Sequence, residues 1–414
     1  MDAGARPHRP ARAAARRQRV SGVRGRIVLI SLSRELGGAE LHVERLAAYL
    51  ARELDDTIEL ICRPDQALDP WCRRLEAAGV RVHRVAPTPS GLARLVRILR
   101  GTRLVHLHLA HPAGKYQVAA ALSARLLRRP AVMTHHLAPA GQIPSPSGGG
   151  QGGGSWSSAY ALYRRLFTRH IAISKFAKDL LIGRYGFDAR RVAVIYNGTD
   201  PDVFTPAAAD QRAALRRQLI GELTAAPVAT DPVLIVTVAR LSPQKGLMDL
   251  IDAAKQLTAD LPSARYVVLG DGESRPTLMA AVSQAGLDQV VLLAGRRTPA
   301  VVADWLRAAD LFVLPSHFEG GPAMALMEAM ACGCAVIATS VSGTDELIPD
   351  AQTGSLVPAG QPAALATAIR DLVRDAGRRS RMGQRARERV TSGFDIRQSH
   401  AQTLELYRAM WTAR

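Results

Sequence analysis

RIVLISLSRELGGAELHVERLAAYLAREL, residues 26–54, is the stretch on which the reading of the fold turns. Residues 26–33 form a short apolar run rich in β-branched side chains, the length of a buried strand. After a Gly-Gly turn, residues 41–54 repeat at helical spacing and set Leu46, Leu50 and Leu54 on one face. A continuously apolar strand followed at once by an amphipathic helix is the βα unit of a parallel sheet covered on both faces.

The unit recurs. TIELIC (57–62), VRVHRV (80–85), RLVHLHL (103–109), PAVMTH (130–135), HIAIS (170–174) and RVAVIY (191–196) read as further strands, with helical patterns between most of them. A second series follows a stretch dense in Asn, Gly, Asp and Pro: VLIVTVA (233–239), RYVVLG (265–270), VVLLAG (290–295), DLFVLP (310–315) and AVIAT (335–339). The pattern predicts an α/β chain of two Rossmann-like, doubly wound domains, joined by a linker at 197–206. The expected division is a basic extension at 1–24, a first domain at 25–198, a second at 199–394 and a closing helix at 395–414. IPSPSGGGQGGGSWSS, at 143–158, follows the fifth strand and reads as a flexible loop at the ligand-facing edge.

With 414 residues, 47% hydrophobic and 22% charged, the chain is unlike a disordered or fibrous protein, and no apolar run is long enough to cross a bilayer. Part of the net charge of +18 is local: residues 1–24 hold Arg6, Arg9, Arg12, Arg16, Arg17, Arg19 and Arg24 against Asp2, without an apolar face, which predicts disorder. No apolar segment of an export signal follows Arg16-Arg17. Five of the 54 basic residues are lysine, an arginine excess that speaks for codon usage over a nucleic-acid partner. Cys332 and Cys334 sit where a helix gives way to a strand and read as small buried residues, not metal ligands; a reduced, cytosolic protein fits.

Four groups at strand carboxyl ends carry candidate chemistry. In GGAE (37–40), Gly37 and Gly38 let backbone amides approach an anion at a helix start. In ARLSPQKG (239–246), Arg240 and Lys245 can flank a diphosphate, arginine by its fork and lysine as a point charge. In PSHFEGGPAMALMEAMACG (315–333), Glu319 and Glu328 are acceptors for the hydroxyls of a sugar or ribose, and Gly320, Gly321 and Pro322 leave amides open. The competing reading of the two carboxylates is the acid and base of glycoside hydrolysis, which requires them to flank one bond. The fourth group is histidine: His106, His108 and His111 at one strand end, His135 and His136 at the next, with no spacing that supports zinc.

Taken in order, GGAE, NGTD (197–200), ARLSPQKG, GDG (270–272), AGRR (294–297) and EGGPAMALMEAMACG resemble the retaining glycosyltransferases of the GT-B fold, the family-four group, over roughly residues 25–395. The resemblance implies a nucleotide-sugar donor, such as a UDP- or GDP-sugar, bound mainly by the second domain. It also implies a glycan or lipid-linked acceptor on the first domain, no metal, no cofactor, and a last helix that returns to the first domain. Carried over, Arg240 and Lys245 hold the diphosphate, Glu319 faces the donor sugar, Glu328 binds the ribose, and the amides of Gly320, Gly321 and Pro322 touch sugar and phosphate. Gly37 and Gly38 close from the other domain, and Gly295 and Arg296 present backbone to the base. His136, from Thr-His-His at 134–136, lies near the sugar, with His135 in reserve. The family spaces its two glutamates by seven residues, whereas Gly320 to Met327 make eight here.

The resulting expectation is a metal-independent transferase of cell-surface polysaccharide or glycolipid synthesis, cytoplasmic, with peripheral contact at an anionic membrane as an option. A same-fold sugar-nucleotide epimerase or hydrolase, and a nucleic-acid or membrane-binding protein driven by the basic arm, are the alternatives.

Overall fold

The computed structural model describes residues 25–33, 36–109, 115–136, 153–223 and 232–412. The arm 1–24, His111 and positions 143–152 of the glycine-rich stretch lie outside them. Seven parallel strands build the first sheet: β1 (Arg26–Ser31), β2 (Thr57–Cys62), β3 (Arg81–Arg84), β4 (Leu104–Leu109), β5 (Ala131–His135), β6 (Arg169–Ala172) and β7 (Val192–Val194), ordered β3-β2-β1-β4-β5-β6-β7. Six build the second: β8 (Leu234–Val238), β9 (Arg265–Leu269), β10 (Val291–Gly295), β11 (Leu311–Leu314), β12 (Ala335–Thr339) and β13 (Ser355–Val357), ordered β10-β9-β8-β11-β12-β13. In both sheets the order reverses beside the first strand, which opens a crevice at its carboxyl end.

The helices of the first domain are α1 (Gly38–Glu53), α2 (Asp69–Ala77), α3 (Pro89–Leu99), α4 (Lys115–Leu126), α5 (Gly153–Leu166) and α6 (Lys175–Gly183). Those of the second are α7 (Ala209–Gly221), α8 (Leu247–Leu257), α9 (Arg275–Gln284), α10 (Pro299–Ala308), α11 (Met324–Ala331), α12 (Pro362–Arg374) and α13 (Ala376–Gly393), followed by α14 (Ile396–Thr412). Alternation along β1 feeds two cores: Val28 and Ile30 pack against α3 to α6, Ile27 and Leu29 against α1, α2 and α14. That double burial is why the strand is apolar without a break from Ile27 to Ile30.

Two elements depart from the sequence reading. β13 escapes it because three residues are too few to show a period. The stretch 143–158 is not loop throughout, since α5 begins at Gly153. Tyr160, Tyr163 and Phe167, at helical spacing and buried in the core, anchor a helix that extends back into the glycines.

The chain passes between the sheets twice, and the two passages lie side by side. Thr199 N–H donates to the Phe394 carbonyl at 3.0 Å, and Ile396 N–H to the Thr199 carbonyl at 3.0 Å. A Cβ on Gly198 would come within 2.5 Å of the Ile396 backbone, so only glycine permits this approach. Beyond it, α14 packs on the first sheet: the Tyr407 hydroxyl meets His106 Nδ1 at 2.5 Å, and Arg103 stacks 3.8 Å from the centre of the Trp411 ring.

Candidate functional site

The carboxyl ends of β8 and β11 carry two loops that lock together. After β8, the chain turns through a 3-10 segment, Pro243–Lys245, and leaves it at Gly246 with φ 60°. A Cβ there would stand 2.0 Å from the Pro315 carbonyl, so glycine supplies both the left-handed turn and the close approach. The Gln244 side chain donates to the Phe318 carbonyl at 2.9 Å, and His317 N–H donates back to the Gln244 carbonyl at 2.8 Å. This clamp delivers Lys245 Nζ to Glu319 Oε1 at 2.6 Å, and Ser316 Oγ donates to the same oxygen at 2.6 Å. Thr339 of β12 in turn holds the Ser316 carbonyl at 2.5 Å. Glu319 is 6% exposed, and that lysine and hydroxyl are the hydrogen-bond partners of its buried oxygen. The additional residue between the glutamates thus leaves Glu319 tied to Lys245.

Arg240, exposed at the end of β8, begins a row of loops along the sheet edge. Leu241 N–H donates to the Asp271 carbonyl at 3.0 Å, and Gly270 N–H to the Gly295 carbonyl at 3.0 Å, which lines up the ARLSPQKG, GDG and AGRR segments. Arg296 is exposed at the far end of the row.

Glu328 lies buried on α11, with a different partner. Arg45, from α1 of the first domain, places Nη2 at 3.6 Å from its Oε1. Burial pushes the Glu328 carboxyl up to about 7, and Arg45 only partly opposes it. Glu319 and Glu328 are therefore held by separate cations from separate domains.

On the first domain, the Gly37-Gly38 turn faces the start of α11: a Cβ on Gly38 would lie 3.3 Å from Met324 Sδ. Glu40 shapes that turn. Its Oε2 accepts the Gly37 N–H at 2.9 Å and its Oε1 the Ser31 hydroxyl at 3.3 Å, tying the loop to the end of β1. Burial raises the Glu40 carboxyl above its ordinary value, against the pull of these hydrogen bonds. Sequence reasoning stopped at the glycines; the missed signal was a glutamate three residues after a helix start, the place of a capping-box acid.

A second missed residue is Glu346. It accepts the Lys175 and Phe176 N–H groups at the start of α6, each at 2.9 Å, and the Tyr196 hydroxyl at 2.6 Å. The second domain thereby caps a helix of the first, and only the fold reveals it.

The histidines divide. His106 is no cleft residue: it is fully buried, bonded to Tyr407 and to Thr134 Oγ1 at 2.7 Å. His135, one residue from His136, turns to the other face of the sheet and packs on His170, Tyr160 and Phe187. His136 meets His108 at 3.1 Å and lies beside His42 of α1. Burial pushes His42 down to about 4, and His108 and His136 well below the usual histidine range, so all three are neutral. One nitrogen from each lies within 4.8 Å of the others, a metal-capable trio that linear spacing missed because His42 comes from a distant helix. Among the described residues, no hydrogen bond joins His136 to Lys245, Glu319 or Glu328. The site thus gathers Lys245 with Glu319, Gly38 with α11, and Arg45 with Glu328, while Gly295 and Arg296 stand at the rim.

Residues 36–203 match the family model described as Glycosyltransferase Family 4, and residues 224–389 the one described as Glycosyl transferases group 1. The D-inositol 3-phosphate glycosyltransferase of Kineococcus radiotolerans is 30% identical over 416 residues, covering 90% of this chain and 91% of that protein. The alpha-maltose-1-phosphate synthase of Mycobacterium tuberculosis is 29% identical over 396 residues, covering 90% and 95%. A D-inositol 3-phosphate glycosyltransferase of Xylanimonas cellulosilytica is 34% identical over 244 residues, with 57% of this chain matched to 56% of that protein. Among solved structures, Anabaena Alr3699/HepE in complex with UDP-glucose superposes with a TM-score of 0.78 at 25% identity, over 93% of this chain and 100% of that one. Sucrose-phosphate synthase from Thermosynechococcus elongatus shares the fold, with a TM-score of 0.75 at 22% identity, over 94% and 100%. Two parallel-sheet domains of GT-B architecture, matched in turn by the two models and spanned by a relative of this identity, make the chain a member of the group 1 glycosyltransferases of family 4.

Proposed function

We propose that the protein moves a sugar from a nucleotide-sugar donor to a hydroxyl of a glycan, glycolipid or small acceptor, with retention of anomeric configuration. The observation that supports it most is the Lys245–Glu319 pair, fixed between the β8 and β11 loops. It presents a cation and a hydroxyl acceptor side by side from two second-domain loops, with Arg240 exposed at the end of β8. A donor laid along this edge has its diphosphate between Arg240 and Lys245, its sugar at Glu319 and the amides of Gly320, Gly321 and Pro322, and its ribose at Glu328. Its base then reaches the backbone of Gly295 and Arg296, while Gly37 and Gly38 close on the diphosphate and His136 lies on the sugar side.

Breaking the anomeric bond builds positive charge on the sugar and negative charge on the leaving diphosphate, and fixed cations and amides stabilise the latter. The leaving phosphate then takes the acceptor proton on the same face, so retention needs no protein nucleophile. Closure about the paired passages at Thr199 and Ile396 would assemble the site and exclude water. The complex of HepE with UDP-glucose makes that sugar the first donor to try. Synthesis of a cell-surface glycan in the cytoplasm is the setting we favour.

UDP-, GDP- and ADP-sugars are to be screened for binding and slow hydrolysis, with Lys245→Ala and Glu328→Ala in parallel. One donor class should bind, and both variants should bind it at least ~10-fold more weakly. The reading fails if no nucleotide sugar binds, or if both variants match the parent.

A further inference from the structure

The donor site leaves one surface of the first domain unused. Between Glu76 and Asp179 the sequence has no aspartate or glutamate at all, although the chain has 36, and the same interval carries fifteen arginines and lysines. It contains α3, α4 and α5, which lie side by side over one face of the first sheet and bury Leu95, Ala121 and Tyr160 beneath them. Their outward positions include Leu92, Arg94 and Arg97 on α3, and Leu122, Arg125 and Leu126 on α4. Leu126 is 80% exposed and Leu122 40%; with Leu92 they are half of the large hydrophobic residues exposed among the described residues. The Tyr116 hydroxyl meets the Gly91 carbonyl where the two helices begin, and Arg129 donates to the Thr102 carbonyl just beyond their ends. The two helices therefore run alongside one another, with Arg97 of α3 and Leu122, Arg125 and Leu126 of α4 exposed on them.

We propose that this α3–α4 face docks on a bilayer containing anionic phospholipid. Arginines at a membrane surface gain from the negative potential of the headgroups, and leucines between them gain by entering the acyl boundary. Nucleic acid would reward the cations but not the leucines, and a carboxylate-free face repels a second copy of itself. The inference goes beyond the donor reading and does not depend on it, since both leucines and both arginines used to test it lie outside the donor site.

The test is co-sedimentation of the full chain with vesicles of phosphatidylcholine alone or mixed with phosphatidylglycerol. The parent should bind the anionic vesicles at least ~10-fold more tightly than the neutral ones, with binding that weakens as salt rises. Leu122→Ser with Leu126→Ser should weaken binding at unchanged charge, and Arg97→Glu with Arg125→Glu should weaken it further. Both pairs change exposed side chains, so melting temperature and donor hydrolysis in solution should stay at parental values. Parental vesicle binding by both pairs would place the attraction in the arm 1–24 and overturn the proposal. So would equal binding to neutral vesicles, loss of a dimer on the leucine substitutions, or charge-pair loss of RNA binding with vesicle binding intact. A parent that hydrolyses no donor but shows the expected vesicle results would instead sink the proposed function and leave this inference standing.

Discussion

Arg45 of the first domain and Glu328 of the second face one another at 3.6 Å across the cleft. The carboxylate is one of the two whose spacing the sequence made conspicuous, and its partner lies 283 positions away on α1. A ribose anchored at Glu328 must share or displace that guanidinium.

The raised pKa of Glu328 sets a pH dependence. A carboxyl raised from 4.5 to about 7 contributes stability that is full below 4.5 and is lost as pH rises through 7. Glu328→Gln removes the titration, so the variant should gain on the parent by on the order of 3 kcal/mol across that interval. Urea denaturation at pH 5 and at pH 8 checks it. An unchanged gap between the two proteins would refute the burial argument. Donor affinity of the parent should rise with pH over the same window, because only the carboxylate accepts two hydroxyl protons freely.

Arg45→Ala takes away the charge that partly holds the Glu328 pKa down. The midpoint of the donor-affinity profile should then move to higher pH, and the protein should be less stable above that midpoint, where a buried carboxylate stands unpaired. Calorimetric titration of donor across pH, on Arg45→Ala and on its combination with Glu328→Gln, reads both. The double variant should show no midpoint at all.

Gly246→Ala should separate the β8 and β11 loops, since the added carbon has a left-handed φ to adopt and the Pro315 carbonyl in its way. We expect a loss of several kcal/mol in stability and at least ~10-fold in donor affinity. Gly221→Ala, at a position where a Cβ meets nothing within 4 Å, is the control and should be neutral. Similar melting temperatures for the two variants would remove the steric account.

Glu40→Gln keeps the shape of the side chain but weakens the acceptor that holds Gly37 N–H. The expected loss is about 1–3 kcal/mol, with a rise in donor KM if the Gly37-Gly38 amides reach the diphosphate. Stability loss without any change in KM would confine Glu40 to a structural role.

Much of the fold was legible because burial on both faces writes itself into composition. β1 and β8 carry apolar runs without alternation, Ile27 to Ile30 and Leu234 to Val236, so these strands could be read directly. β13 could not, being three residues long, and the start of α5 was hidden by glycines whose local preference the buried Tyr160 and Tyr163 override. At the site, Lys245 and Glu319 were visible as residues but not as a pair, because 74 positions separate them. Five histidines were grouped by strand ends, yet alternation sends His135 to the opposite face from His136, and the Tyr407 bond takes His106 into the core.

By itself, then, the sequence determined the doubly wound architecture, the repetition of that architecture and the loops that carry charge at strand ends. Those properties follow from local periodicity and from the short range over which a turn is specified. Tertiary structure alone decided which charges meet: Lys245 with Glu319, Arg45 with Glu328, and Glu346 with the start of α6. Each of these contacts joins distant parts of the chain, and their strength depends on burial, which no local pattern encodes.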